Sequence, residues 1–108
     1  MNKPDGLMIT KHLGKIENIN IGISGYQDAM FGLTINFVTN NFNVSTFISA
    51  GWVNNLSENL SNKLTDRLSL LLVEAKKKNM SELKGTPVEV QVNKDGSFNS
   101  FRILTEVL

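Results

Sequence analysis

The residues of this chain that could carry out chemistry are few and isolated. The single histidine, His12, has no neighbour in the sequence that would orient an imidazole for proton transfer or metal binding. There is no cysteine, which excludes thiol nucleophiles, disulfides and cysteine-ligated metal centres. No serine stands in the Gly-x-Ser-x-Gly context of a hydrolase, and no glycine pattern matches a phosphate-binding loop. The sequence therefore predicts a protein that is not an enzyme and that uses neither a metal nor a cofactor.

The segment 24–28 is the most suggestive stretch for ligand binding. It holds the only tyrosine, Tyr26, followed by Gln27 and Asp28. An aromatic ring beside amide and carboxylate groups can stack on a base while those groups bind the base edge. The same residues also suit an ordinary turn, in which Tyr26 packs as a lid and Asp28 caps the backbone.

Two further residues are binding candidates, each with a structural alternative. Trp52 closes the third predicted strand, where it either packs in the core against the helix or stacks on a ligand or partner. Arg102 lies on a strand face, where a guanidinium can hold a phosphate or carboxylate through two hydrogen bonds. The alternative for Arg102 is an ion pair with Glu89 across the sheet.

The charges give little support to nucleic-acid binding. Eleven Lys and Arg against ten Asp and Glu leave a net charge of +1, and this balance produces no dominant positive field. Lys76–Lys78 form a cluster at the end of the predicted helix, where lysines are usually solvated and complement exposed carbonyls. With Lys63 and Arg67, the cluster could instead receive phosphates.

The periodicity of apolar residues predicts strands on both sides of one helix. Alternation predicts strands over residues 16–24, 31–38, 42–49, 87–92 and 98–107. Between the third and fourth of these strands, leucines recur every three or four residues from Leu56 to Ala75. They predict a helix of roughly 22 residues, which is about 33 Å long at 1.5 Å per residue. Either Asn55 or Ser57 is the predicted N-cap.

The predicted fold is an α+β single domain over residues 1–108. Its order is β-β-β-α-β-β, an antiparallel sheet of about five strands with one long helix packed across one face. The uncovered face then exposes apolar residues, so we expect a homo-oligomer. The residues concerned are Met30, Val38, Phe47 and Leu104. No signal peptide and no long apolar run is evident, so we expect a cytoplasmic protein that does not contact a membrane.

Two segments resemble a family of small bacteriophage and prophage proteins. They are Gly25–Leu33 (GYQDAMFGL) and Leu83–Val90 (LKGTPVEV), the latter continuing through Phe101–Leu108 (FRILTEVL). The family has a Tyr-Gln-Asp-Ala-Met-x-Gly-Leu segment, a Trp after the third strand, and a Gly-x-Pro-Val-Glu-Val … Arg-Ile-Leu-Thr-Glu-Val ending. Here Phe101 stands where the family has Trp. The resemblance spans nearly the whole chain, is weakest in the helix, carries over no catalytic residue, and implies a phage protein in the host cytoplasm.

The sequence and the resemblance together favour a phage accessory protein that counteracts a host antiviral defence by binding. In its most concrete form it sequesters a small signalling nucleotide in a pocket with phosphate donors and stacking aromatics. The candidate ligand-binding residues are Tyr26, Gln27, Asp28, Trp52 and Arg102. One alternative is an inhibitor that docks on a host defence protein. Another is an accessory protein that holds single-stranded DNA on an aromatic sheet, which the charge balance disfavours.

Overall fold

The computed structural model describes residues 9–108, except for the side chain of Tyr26. This part of the chain forms one curled antiparallel sheet of six strands with a single α-helix packed against it. The elements are β1 (Thr10–Ser24), β2 (Met30–Thr39), β3 (Asn43–Trp52), β4 (Asn55–Leu56), α1 (Glu58–Ala75), β5 (Pro87–Val92) and β6 (Phe98–Ile103). The predicted α+β class and helix position are confirmed, and the strand missing from the prediction is the two-residue β4.

The sheet is organised around β1, which is 15 residues long. The strand order is β4-β3-β2-β1-β5-β6. β1 pairs with β2 from Gly14 to Ser24, but with β5 only from Thr10 to Lys15. The predicted first strand began at Ile16, so the structure extends it by six residues towards the N-terminus. The two halves of β1 therefore have different neighbours.

The core lies on the concave face of the sheet, beneath α1. It is formed by Ile16, Ile19, Leu33, Ile35, Phe37, Ala50, Leu64, Leu71, Ala75, Leu83, Val88, Val90, Val92, Phe101 and Ile103. At its centre the Phe37 ring lies parallel to the Phe98 ring, with centroids 5.7 Å apart, and 4.7 Å from the Phe101 ring. Aromatic pairs at such separations are favourable beyond their buried area. The cluster joins β2 to the far edge of the curled sheet.

The helix is shorter than its leucine spacing predicted. Of the two predicted caps, Ser57 is the one used, and its Oγ accepts a hydrogen bond from the Leu60 N–H at 3.2 Å. Leu56 lies in β4, because it pairs with Gly51 before the helix begins. α1 ends at Ala75, since Lys76 adopts a left-handed backbone with φ of 60°. Within residues 9–108, no helix is long and apolar enough to cross a membrane.

The convex face carries both apolar and polar side chains. The predicted apolar residues Met30, Val38, Phe47 and Leu104 are all half-buried. The face also carries Asn18 and Asn36, which lie opposite each other on β1 and β2 and are joined by a side-chain hydrogen bond. The last strand ends at Ile103, earlier than predicted, because residues 105–107 form a 3₁₀ turn.

We expect opposite results from placing alanine at two glycines that face each other in the sheet. Gly22 and Gly32 are cross-strand partners on β1 and β2. A Cβ at Gly32 would collide with the Ile48 carbonyl oxygen, whereas a Cβ at Gly22 meets nothing within 4 Å. Gly32→Ala should lower the free energy of unfolding by about 1–3 kcal/mol. Gly22→Ala should leave it unchanged or raise it by up to about 1 kcal/mol. Urea denaturation measures both, and equal effects would contradict this packing of β3 on β2.

Candidate functional site

The Gln27 and Asp28 candidates lie in a tight turn between β1 and β2. Their φ angles are 56° and 52°, in the left-handed region that residues other than glycine seldom adopt. The Asp28 N–H donates to the Gly25 carbonyl at 3.2 Å and closes the turn. The Asp28 carboxylate caps no backbone group of the described residues, and the Tyr26 side chain lies outside the described part of the chain.

Trp52 lies next to this turn and does not pack in the core. It is opposite Met30 in the sheet, and the following residue, Val53, donates its N–H to the Ala29 carbonyl at 2.8 Å. The Trp52 side chain is 60% exposed. Gln27, Asp28 and Trp52 therefore share one end of the sheet, which we call the sheet tip.

Arg102 lies far from the sheet tip. It pairs with Glu89 on β5, which in turn faces Leu13 on β1. From Leu13 to Ser24 the strand advances 24 − 13 = 11 residues, or about 36 Å at ~3.3 Å per residue. The guanidinium contacts Glu89 at 3.4 Å and Glu106 at 3.3 Å. The geometry matches the ion pair that the sequence offered as an alternative to ligand binding.

The Arg102 contacts affect the ionisation of Glu106. A hydrogen bond from its own backbone N–H and a second one from Arg102 hold the pKa of the Glu106 carboxyl below its ordinary value of 4.5. Because the pKa is depressed in the folded state, this carboxylate stabilises the fold above pH 4.5, and the effect is lost as the pH falls through the folded-state pKa. Both side chains are exposed, so the contribution is small.

Removing the arginine should raise the pKa of Glu106. In Arg102→Ala we expect the value to move only part of the way towards 4.5, because the backbone hydrogen bond remains. Carboxyl NMR titration measures the change. Lys84→Ala, which removes an exposed lysine at a different place in the sequence, is the matched control and should leave the Glu106 titration unchanged. An unaltered titration in Arg102→Ala would contradict the ion pair.

A groove of about 350 Å³ opens between β3, α1 and β6. We call it the β3–β6 groove. Its lining residues are Thr46, Ile48, Lys63, Arg67, Phe98, Asn99, Ser100 and Phe101. It exists because the sheet curls until β6 approaches β3, with α1 lying over both strands.

Two positive charges face the β3–β6 groove without a negative partner. Lys63 and Arg67 are four residues apart on α1, so they share one face of the helix. Like charges at this spacing repel each other, which destabilises a helix by about 0.2–0.5 kcal/mol. The groove lining contains no carboxylate, and among the described residues neither cation forms an ion pair. The arrangement therefore favours an anionic occupant.

The remaining walls of the β3–β6 groove are apolar or neutral polar. The Arg67 guanidinium carbon lies 5.0 Å from the centroid of the Phe101 ring, a distance at which a cation–π interaction holds the arginine in place. Phe98 is half-buried against the core. The hydroxyls of Thr46 and Ser100 have no hydrogen-bond partner in the part of the chain that is described. Such a lining can bind a molecule that combines a phosphate with a flat apolar ring.

Two of the eight residues that line this groove, Lys63 and Arg67, were named from the sequence. They were considered only as helpers of Lys76–Lys78 in receiving phosphates, and those three lysines do not line the groove. The β6 residues were missed, because nothing in the local sequence shows that β6 returns to the helix. Of the residues favoured from the sequence, none lines the groove.

The described residues contain no metal site. The ring of His12 contacts Phe42 edge-on, with centroids 4.8 Å apart, and its Nε2 lies 2.9 Å from the Thr10 Oγ1. No group of three or more His, Asp or Glu residues in the range 9–108 is arranged to hold an ion. Comparisons of the chain with protein-family models, curated proteins and solved structures found no match.

Proposed function

We propose that the protein is a non-enzymatic phage accessory protein that counteracts a host antiviral defence by sequestering a small signalling nucleotide. The observation that carries the proposal is the β3–β6 groove, in which Lys63 and Arg67 stand unpaired beside the Phe98 ring. The phage origin is inferred from the resemblance of residues 25–33, 83–90 and 101–108 to small bacteriophage proteins.

The chemistry of the groove suits a phosphate joined to an aromatic base. Arg67 can donate two parallel hydrogen bonds to a phosphate, and Lys63 adds a second charge one helical turn away. Phe98 offers an apolar surface for the base. The volume of about 350 Å³ falls in the range of about 300–1,000 Å³ that is usual for small-molecule sites. It accommodates one nucleotide unit rather than a long strand.

Sequestration requires affinity and abundance but no bond breaking. A nucleotide held in the groove is withdrawn from its receptor by mass action, in proportion to the concentration of the binding protein. Such a protein needs no general base or nucleophile, and this agrees with the lack of such motifs in the sequence.

The groove lysine and arginine should determine nucleotide affinity. We expect Lys63→Ala and Arg67→Ala each to weaken binding of the tightest-bound nucleotide roughly tenfold to a hundredfold, because each removes a charge-assisted hydrogen bond worth about 1.5–3 kcal/mol. Isothermal titration calorimetry against a panel of cyclic dinucleotides and mononucleotides measures this. Lys76→Ala and Lys77→Ala are matched controls, since these lysines lie outside the groove. A nucleoside without phosphate should bind weakly to every variant.

Two results would contradict the nucleotide proposal. One is that the unaltered protein binds no member of the panel. The other is that the control lysines affect binding as strongly as the groove residues, because affinity would then reflect general positive charge rather than a site.

Exposed apolar side chains at the sheet tip favour a second candidate, an inhibitor that docks on a host defence protein. Trp52, Val53 and Leu56 are all exposed there, and an exposed tryptophan is a common anchor of protein interfaces. Trp52→Ala should abolish direct binding to a purified host protein first recovered by co-purification. Val73→Ala removes an equally exposed apolar residue on α1 and should not. If both variants still bind the host protein, the sheet tip is not the docking surface.

A further inference from the structure

The C-terminal half of β1 forms an open edge of the sheet. β5 pairs with β1 only as far as Lys15. Ile16 continues the contact through its N–H, which donates to the Thr86 carbonyl at 3.0 Å, and its carbonyl, which accepts from the Gly85 N–H at 2.7 Å. From Asn18 to Ser24, no strand of the described chain pairs with β1 on this side. We call residues 18–24 the β1 edge.

The β1 edge carries no charge and no proline to protect an open strand, although the 3₁₀ turn Met80–Leu83 contacts β1. Its sequence, NINIGIS, contains no charged residue and no proline, and its register with β2 is regular from Asn18 to Ser24. Proteins normally block such edges with lysine, proline or a bulge. Ile21 and Ile23 are 40% and 58% exposed. An unprotected edge with exposed isoleucines is suited to pairing with another strand.

We propose that the β1 edge pairs with the β1 edge of a second copy of this chain, antiparallel and around a twofold axis at Ile21. In this register the two residue numbers of each facing pair add up to 42. Ile21 faces its own counterpart, and Ile19 faces Ile23 of the second copy. Isoleucine therefore meets isoleucine on one face of the joined sheets, and the polar or small residues at 18, 20, 22 and 24 share the other face.

The length of the edge favours a second copy over an unrelated strand. The edge is bounded at one end by β5, which is paired up to Lys15, and at the other by the turn after Ser24, where Gly25 has φ of 84°. In the proposed register, Ser24 of the second copy lies opposite Asn18. The second chain therefore turns away just before it would reach β5. A longer strand would run into β5 and the Thr86 segment.

Charge also permits self-association at this edge. Two copies of a charged edge would repel each other, but residues 18–24 are neutral and the whole chain carries only +1. The pairing joins two sheets into one through β1 and removes the open edge from both copies. It uses no residue of the β3–β6 groove, so it can hold or fail independently of nucleotide binding.

Lysine substitutions at the edge test the pairing. The unaltered protein should sediment at twice the 12.0 kDa chain mass. The double variant Ile21→Lys/Ile23→Lys should sediment as a monomer, because facing lysines repel and keep the edge solvated. Ile21 and Ile23 are 40% and 58% exposed, so the lysine side chains can extend into solvent and the variant should retain the circular dichroism spectrum of the fold. Leu13→Lys and Val73→Lys are matched controls outside the β1 edge. Leu13 and Val73 are more exposed than Ile21 and Ile23, and both control variants should remain dimeric.

Single cysteines test the register, because the described chain has no cysteine of its own. Ile21→Cys places two thiols across the twofold axis, on Cα atoms about 4.5–5.5 Å apart as in facing residues of antiparallel strands. A disulfide can bridge this Cα separation, so the variant should form an intermolecular disulfide under mild oxidation. Ile23→Cys is the matched control. Its thiol would be four residues, or about 13 Å, from that of the second copy, and should not form one.

Three outcomes would overturn the proposal. The first is that the unaltered protein remains monomeric at every concentration tested. The second is that the lysine double variant is folded and still dimeric, which would place the interface elsewhere, for example at the sheet tip. The third is that Ile23→Cys forms the disulfide as readily as Ile21→Cys, which would exclude the register centred on Ile21.

Discussion

The packing of Phe37 against the two aromatic rings of β6 is the interaction on which the rest of the structure depends. Phe37 lies on β2, near the middle of the sheet, whereas Phe98 and Phe101 lie on the edge strand. For the three rings to touch, the sheet has to curl. Burial of three aromatic side chains is a large hydrophobic gain for a domain of this size. The curl is therefore built into the core and does not depend on a ligand.

The β3–β6 groove follows from this curl. When β6 returns towards β3, the outer faces of α1 and β6 meet at an angle, and Lys63 and Arg67 line one wall while Phe98 and Ser100 line the other. Arg67 contacts both the aromatic cluster and the groove, since it lies over the Phe101 ring and its charge faces the groove. The same aromatic cluster thus stabilises the fold and forms the apolar floor of the candidate site.

The unequal lengths of the strands have a separate consequence. β1 is 15 residues long and β5 is six, so one neighbour cannot cover the whole of one edge of β1. The uncovered segment is neutral and alternates isoleucine with small polar residues. An antiparallel sheet can add a strand at any unpaired edge, because each backbone N–H and C=O there still needs a partner. The open β1 edge and the β3–β6 groove are therefore independent consequences of one topology.

The sequence by itself determined the local structure. Period-two alternation located the strands, leucine spacing located the helix, and Ser57 was one of two caps recognisable in advance. These signals are local, since each depends on residues a few positions apart. Only the tertiary structure decided that Arg102 forms ion pairs far from Trp52, and that Lys63 faces β6 across a groove. Those relations depend on strand order, register and curl, which arise from contacts between residues distant in the chain and therefore leave no periodic mark in the sequence.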